Sequence, residues 1–178
     1  IPFKFDENKN YSLIPKNYKM VYFGRIHPHK NLHLLIKSFI SANLPEKWKL
    51  EIYGIRDDEK YFKFLKKLIQ NNSQIQINEP IFDNKKQEVM SNSWVNLLIS
   101  KSEVLSLSIL ESSVHELPSL VNSDIETEGF NEKIIRTKTS QEELKNKLLE
   151  ISKWSINERN KIGKEISEKI KFKTSINN

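Results

Sequence analysis

Trp94-Val95-Asn96-Leu97-Leu98-Ile99-Ser100 is a short run in which large apolar side chains follow one another without alternation. A stretch that brief and that evenly apolar reads as a strand covered on both faces, as strands of a parallel sheet are. Outward from it, short apolar runs alternate with amphipathic stretches, the rhythm of strands joined by crossover helices. Upstream, Lys19 to Gly24 reads as the first strand, Leu32 to Leu44 as a helix stopped by Pro45, and Lys49 to Gly54 as the second strand. Asp58 to Asn72 follows as a helix with Tyr61, Phe62, Leu65, Leu68 and Ile69 on one side, then Gln74 to Asn78 as a short alternating strand. Asn84 to Asn92 reads as a short helix opened by an Asn84-x-x-Gln87 cap. Downstream, a helix is expected from about Val104 to His115, broken by Pro118, with Ser119 to Asn122 as a fifth strand and Ile134-Ile135 as a sixth. Ser140-x-x-Glu143 and Ser155-x-x-Glu158 are capping boxes that open two C-terminal helices. The fold class is therefore α/β, a Rossmann-like doubly wound parallel sheet with a C-terminal helical tail.

The chain has 178 residues, 37% apolar and 29% charged. That is the size of one domain, large enough to bury a core without disulfides or metals. The absence of cysteine removes disulfides, thiolate metal sites and thiol nucleophiles together. Ile1 to Asn10 has no apolar run of signal-peptide length, and no stretch approaches the roughly 18 apolar residues of a spanning helix. The chain opens on Ile1-Pro2 rather than Met, so a piece of a longer protein is expected. A net charge of +6 raises nucleic acid as a partner. The lysines are spread throughout, however, and no stretch interleaves Arg with aromatics, so no nucleic-acid partner is expected. A phosphate-bearing small molecule suits a moderate positive charge equally well. A cytoplasmic location is expected. The basic last helix (Lys161, Lys164, Lys169, Lys171 and Lys173 with Ile162, Ile166 and Ile170) suits another domain or, as the alternative, peripheral contact with the inner face of a membrane.

Ligands of such sheets bind beyond the carboxyl ends of the strands. The loops of interest are therefore Gly24 to Asn31, Gly54 to Asp58, Asn78 to Asp83 and Ser100 to Ser106. In the first, Arg25 supplies a planar fork for phosphate oxygens and Lys30 a mobile point charge. Both stand just before a helix start, whose free N–H groups and partial positive charge also favour anions. Together these suit a diphosphate; the alternative is two solvated cations. His27 and His29 have no third ligand at regular spacing, and loop surface is the expected role. In the last loop, Glu103 and Glu111 are eight residues apart, but so are Glu51/Glu59, Glu142/Glu150 and Glu150/Glu158. Context distinguishes the first pair. Glu103 directly follows the buried strand at a helix entrance, and Glu111 lies two turns on, roughly 12 Å along the axis. That separation approximates the reach from sugar to ribose in a sugar nucleotide, with the diphosphate across the helix start near the N–H groups of Val104 to Leu107. Both carboxylates can accept hydrogen bonds from vicinal diols. The alternatives are a helix-dipole partner at Glu103 and a polar helix-edge residue at Glu111.

Gly-Arg-x4-Lys after the first strand, Ser-x-Ser-Glu-x7-Glu after the fourth, then Pro118 and a strand, is similar to the C-terminal domain of retaining glycosyltransferases of family 4, the glycosyl transferases group 1, which have the two-domain GT-B fold. The resemblance covers roughly residues 19 to 171, and Asn157 to Gly163 resembles the family's terminal helix. It implies the donor half of an enzyme moving a hexose-like sugar from a nucleotide diphosphate-sugar to a glycan or lipid acceptor, with retention and without a metal or other cofactor. The donor could be of UDP, GDP or ADP type, and the setting polysaccharide, lipopolysaccharide or capsule biosynthesis. The implied organisation is residues 1–18 as the end of an interdomain linker, 19–153 as the Rossmann-like nucleotide-sugar-binding domain and 154–178 as a C-terminal crossing helix. The acceptor contacts would come from an N-terminal GT-B domain, so this piece alone would be inactive. By resemblance, Arg25 and Lys30 hold the donor diphosphate with the backbone of Leu105, Ser106 and Leu107; Glu103 is the catalytic, sugar-contacting residue and Glu111 holds the ribose. The chain departs from the family at Asn31 and Ser106, where glycine is usual, at Ser112 to Leu117, usually alanine-rich, and at Ile125 to Gly129, a shortened loop. A non-catalytic Rossmann-like nucleotide-binding module and half of a sugar-nucleotide epimerase are the alternative readings.

Overall fold

The computed structural model describes residues 17–101, 107–125 and 134–176. Six strands form one sheet: β1 (Lys19–Phe23), β2 (Lys49–Tyr53), β3 (Ile75–Asn78), β4 (Val95–Leu98), β5 (Ser119–Asn122) and β6 (Ile135–Thr137). Their order is β3-β2-β1-β4-β5-β6 and every neighbouring pair is parallel. The chain winds outward from β1 in one direction and from β4 in the other, so the switch point lies between these two strands. The helices are α1 (Leu32–Ala42), α2 (Glu59–Ile69), α3 (Asp83–Ser91), α4 (Leu107–Val114), α5 (Gln141–Ser152) and α6 (Ile156–Ile176).

Alternating side chains of each strand point to opposite faces, and the two faces are covered unequally. Met20 and Tyr22 of β1 join a large core with α1, α2 and α5, to which Phe39, Leu65 and Leu148 contribute. Val21 and Phe23 face the other way and cluster with Met90 of α3 and Leu117. At the amino ends of the central strands, Trp48 and Trp94 meet edge-on at 5.6 Å, with Tyr18 against both.

Each expected element has a counterpart among the described residues, with several ends shifted or shortened. Helix α1 stops at Ala42 because Asn43 turns left-handed (φ 45°), two residues ahead of Pro45. Helix α2 begins after Asp58, whose carboxylate accepts from Tyr61 N–H at 2.8 Å, and ends before Gln70 (φ 46°). The Asn84-x-x-Gln87 cap is not formed: α3 starts one residue earlier, behind Phe82 in extended conformation with no side-chain cap bond. Asp83 in its first turn offsets the helix dipole instead. The fourth strand's helix runs from Leu107 among the described residues; its expected start at Val104 lies outside them. Ser155 and Glu158 form a reciprocal capping box (2.7 and 3.2 Å), and Ser140 accepts from Glu143 N–H.

Helix α6 packs its first turns on this domain's own α4. Arg159, 1% exposed, donates to the carbonyls of Ser93 and Trp94 at 3.1 and 3.3 Å, tying the tail to the entrance of β4. Burial lowers the Arg159 pKa to about 10, which leaves it charged at neutral pH. Four residues on, a Cβ at Gly163 would stand 2.0 Å from the Glu116 carbonyl, so only glycine lets α6 approach the turn after α4 this closely. None of the helices is long and apolar enough to cross a membrane, among the described residues.

Candidate functional site

A cleft of about 380 Å³ opens at the carboxyl ends of β1, β2 and β3 and the amino end of α4. Two close approaches build it. A Cβ at Gly54 would lie 1.9 Å from the Gly24 carbonyl, so glycine is required where the loops after β1 and β2 touch. Beyond that point the loops stay paired: Ile26 N–H donates to Ile55 O at 2.8 Å and Ile26 bridges Arg56 in parallel. Tyr22 OH holds the Arg25 carbonyl at 2.9 Å from below.

Arg25 and Lys30 from the loop after β1, and Leu107 and Glu111 from α4, all line this one cleft. Arg25 is 64% exposed and pairs with Asp57 at 2.9 Å, on the neighbouring loop. Lys30 closes a 3-10 turn (Pro28–Lys30) and is half-buried. The turn is followed by Asn31 in the left-handed region (φ 52°), immediately before α1. Asparagine tolerates that region better than any residue but glycine, which accounts for its standing where the family usually has glycine. Leu107 is 55% exposed at the start of α4. Glu103, Leu105 and Ser106 lie outside the described residues, so the sugar-contacting position and two of the three backbone positions have no structural account.

The histidines of the first loop behave as loop surface: His27 and His29 stack at 5.1 Å, and His27 Nδ1 accepts from His29 N–H. Among the described residues no group of three His, Asp or Glu side chains could hold a metal. The decoy glutamates are engaged elsewhere. Glu51 pairs with Lys19 at 2.6 Å inside the sheet, Glu142 with Lys145, Glu150 with Lys147, and Glu158 caps α6.

Sequence reasoning missed Lys86. Its Nζ lies 2.5 Å from Glu111 Oε2 and 5.5 Å from the centre of the Phe23 ring. Phe23 in turn stacks on Tyr53 (5.4 Å, 14°), whose hydroxyl donates to Glu51 at 2.5 Å. Burial first, and Glu51 second, raise the Tyr53 pKa well above the usual phenol range, so the hydroxyl stays protonated. A continuous chain of contacts thus runs from Lys19 through Glu51, Tyr53, Phe23 and Lys86 to Glu111. Helix α3 carries Lys85 and Lys86 side by side with few apolar residues to orient it, so nothing in the sequence said which lysine enters the cleft. Phe82, 64% exposed, and Ile55, 54% exposed, give the cleft an apolar rim.

The sequence profile of the glycosyl transferases group 1 matches residues 4–169. No curated protein sequence matches the chain. Among solved structures, the C-terminal domain of the group 1 glycosyltransferase LpcC from Francisella tularensis superposes with TM-score 0.76 at 19% identity, over 88% of this chain and 86% of that one. HepE from Anabaena, in complex with UDP and glucose, gives 0.73 at 16% identity over 89% of this chain and 45% of its own. The pneumococcal O-GlcNAc transferase GtfA, with UDP and GlcNAc, gives 0.68 at 18% over 91% and 36%. The chain thus spans most of an isolated C-terminal domain but less than half of these longer enzymes. At such identities the likeness is one of fold, and the fold is the Rossmann-like C-terminal half of GT-B enzymes.

Proposed function

The chain belongs to the glycosyl transferases group 1 family, and we propose that it is the donor-binding half of an enzyme moving a hexose-like sugar from a nucleotide diphosphate-sugar to a glycan or lipid acceptor. The observation carrying this is that Arg25, Lys30 and Glu111 line one cleft at the strands' carboxyl ends. The Arg25 guanidinium and Lys30 ammonium neutralise the diphosphate as it departs, aided by backbone N–H groups at Leu105 to Leu107. Such preorganised charge lowers the barrier because it stabilises the leaving group where its negative charge develops. Glu111 accepts from the ribose hydroxyls and Glu103 orients the transferred sugar. Relatives with bound UDP make uridine the first base to test, ahead of guanosine and adenosine. We place the enzyme in the cytoplasm, in polysaccharide, lipopolysaccharide or capsule synthesis, with residues 1–18 as linker, 154–178 as crossing helix and an N-terminal domain supplying the acceptor site. Catalysis needs both reactants held together, so this chain alone transfers no sugar.

The two glutamates provide the test. Glu111→Gln should weaken a plain nucleoside diphosphate and the matching sugar nucleotide by similar factors in calorimetric titrations. Glu103→Gln should spare the plain diphosphate and weaken only the sugar-bearing ligand. Equal losses for both ligands in the Glu103 variant would refute its assignment to the sugar, and unchanged binding in the Glu111 variant would refute the ribose site.

A further inference from the structure

Glu111 does not stand alone in the cleft: it is the one carboxylate among the described residues lining it, and Lys86 holds it. The side chains are 22% and 28% exposed, so the bond is sheltered on both sides. Lys86 is itself placed by the Phe23 ring, which is 7% exposed and backed by Tyr53. The ammonium therefore sits between a fixed aromatic wall and the carboxylate, on a helix that buries only Met90 and Ser91. A glutamate with three rotatable bonds would otherwise lose that freedom on meeting a ligand. Its two oxygens offer about four acceptor sites, and one lysine bond leaves capacity for a vicinal diol.

We propose that Lys86 is a positioning residue for ribose recognition: it fixes the Glu111 carboxylate before the nucleotide arrives, and acts on the ligand only through Glu111. The inference rests on the reading of Glu111 as the ribose ligand. Two features distinguish it from the role of the other two cations in the cleft. Lys86 comes from α3 rather than from the loop after β1, and its effect should depend on the sugar hydroxyls rather than on phosphate count.

The test uses this chain with UDP, GDP and ADP and their 2′,3′-dideoxy counterparts, titrated against Lys86→Met, Lys86→Arg, Glu111→Gln and the Lys86→Met/Glu111→Gln double variant. For whichever base binds, Lys86→Met should weaken the ribonucleotide by about fivefold, the scale of a partly sheltered ion pair. It should leave the dideoxy form unchanged and add nothing in the Glu111→Gln background, because a residue acting through another shows no separate effect. Lys86→Arg should recover most of the loss, and its melting curve checks that α3 is in place. Equal losses for ribo and dideoxy ligands, or additive losses in the double variant, would show Lys86 acting on phosphate or on the fold and would overturn the inference. So would unchanged or tighter binding in Lys86→Met while Glu111→Gln still weakens. If Glu111→Gln has no effect, or none of the three diphosphates binds, the reading of the ribose site fails and takes this inference with it.

Discussion

The two faces of the sheet are built from the same strands and to opposite ends. Beneath α1, α2 and α5 the face is a thick apolar layer, in which Leu50 and Ile52 of β2 are fully buried. On the other face the intervening residues of the same strand are Glu51 and Tyr53, and the core shrinks to Val21, Phe23, Met90 and Leu117. There the contacts are ionic and aromatic, from Lys19 to Glu111, and Ser91 meets His115 at 3.1 Å in place of an apolar pair. One face stabilises the domain and the other, on the proposed reading, presents charge to a ligand. Alternation within a strand lets a single stretch of five residues serve both purposes.

Breaking the thick face should cost stability alone. Trp48, 1% exposed and packed on Trp94, should lose about 3–5 kcal/mol on Trp48→Ala, read from denaturant unfolding. Nucleoside diphosphate affinity, measured where the variant is still folded, should not change. A ligand-selective loss would contradict the separation of the two faces.

Sharpening the charged face should do the reverse, and by less. Asp57 holds Arg25 at 2.9 Å in the exposed loop beside the cleft, where it competes with any anion. Asp57→Asn should therefore tighten diphosphate binding, by no more than about fivefold for a pair so exposed, and leave the melting temperature where it was. Weaker binding in this variant would mean that Asp57 orients Arg25 rather than competing for it.

Much of this division could be read from residue order. The apolar run from Trp94, the Pro45 and Pro118 stops and the spacing of Tyr61, Phe62, Leu65 and Ile69 led to the strands and helices, since burial is written directly in periodicity. Arg25, Lys30 and Glu111 could be singled out because sheet topology sends the ends of parallel strands to one place. What escaped is what depends on tertiary contact. Glu51 had the sequence of a decoy and the structure of a buried ion-pair partner, and Lys86 was one lysine among many until α3 was laid across Phe23. The cap at Asn84 failed for a related reason: α3 has so few apolar positions that its first residue is decided by docking rather than by local pattern. Asn31 was a departure in sequence that the backbone explains, since its left-handed conformation is the one glycine usually supplies.

The central claim is that this cleft takes a nucleoside diphosphate through Arg25 and Lys30. Calorimetric titration of the chain with UDP, GDP and ADP, beside the Arg25→Ala/Lys30→Ala double variant, tests it most directly. At least one diphosphate should bind the unaltered chain, and the double variant should lose on the order of a hundredfold in affinity or more, each charged hydrogen bond contributing about 1.5–3 kcal/mol. Its melting temperature without ligand should stay nearly unchanged, because the Arg25 side chain is exposed and Lys30 is only half-buried, so neither substitution removes core packing. Binding of none of the three, or equal binding to both proteins, would contradict the account.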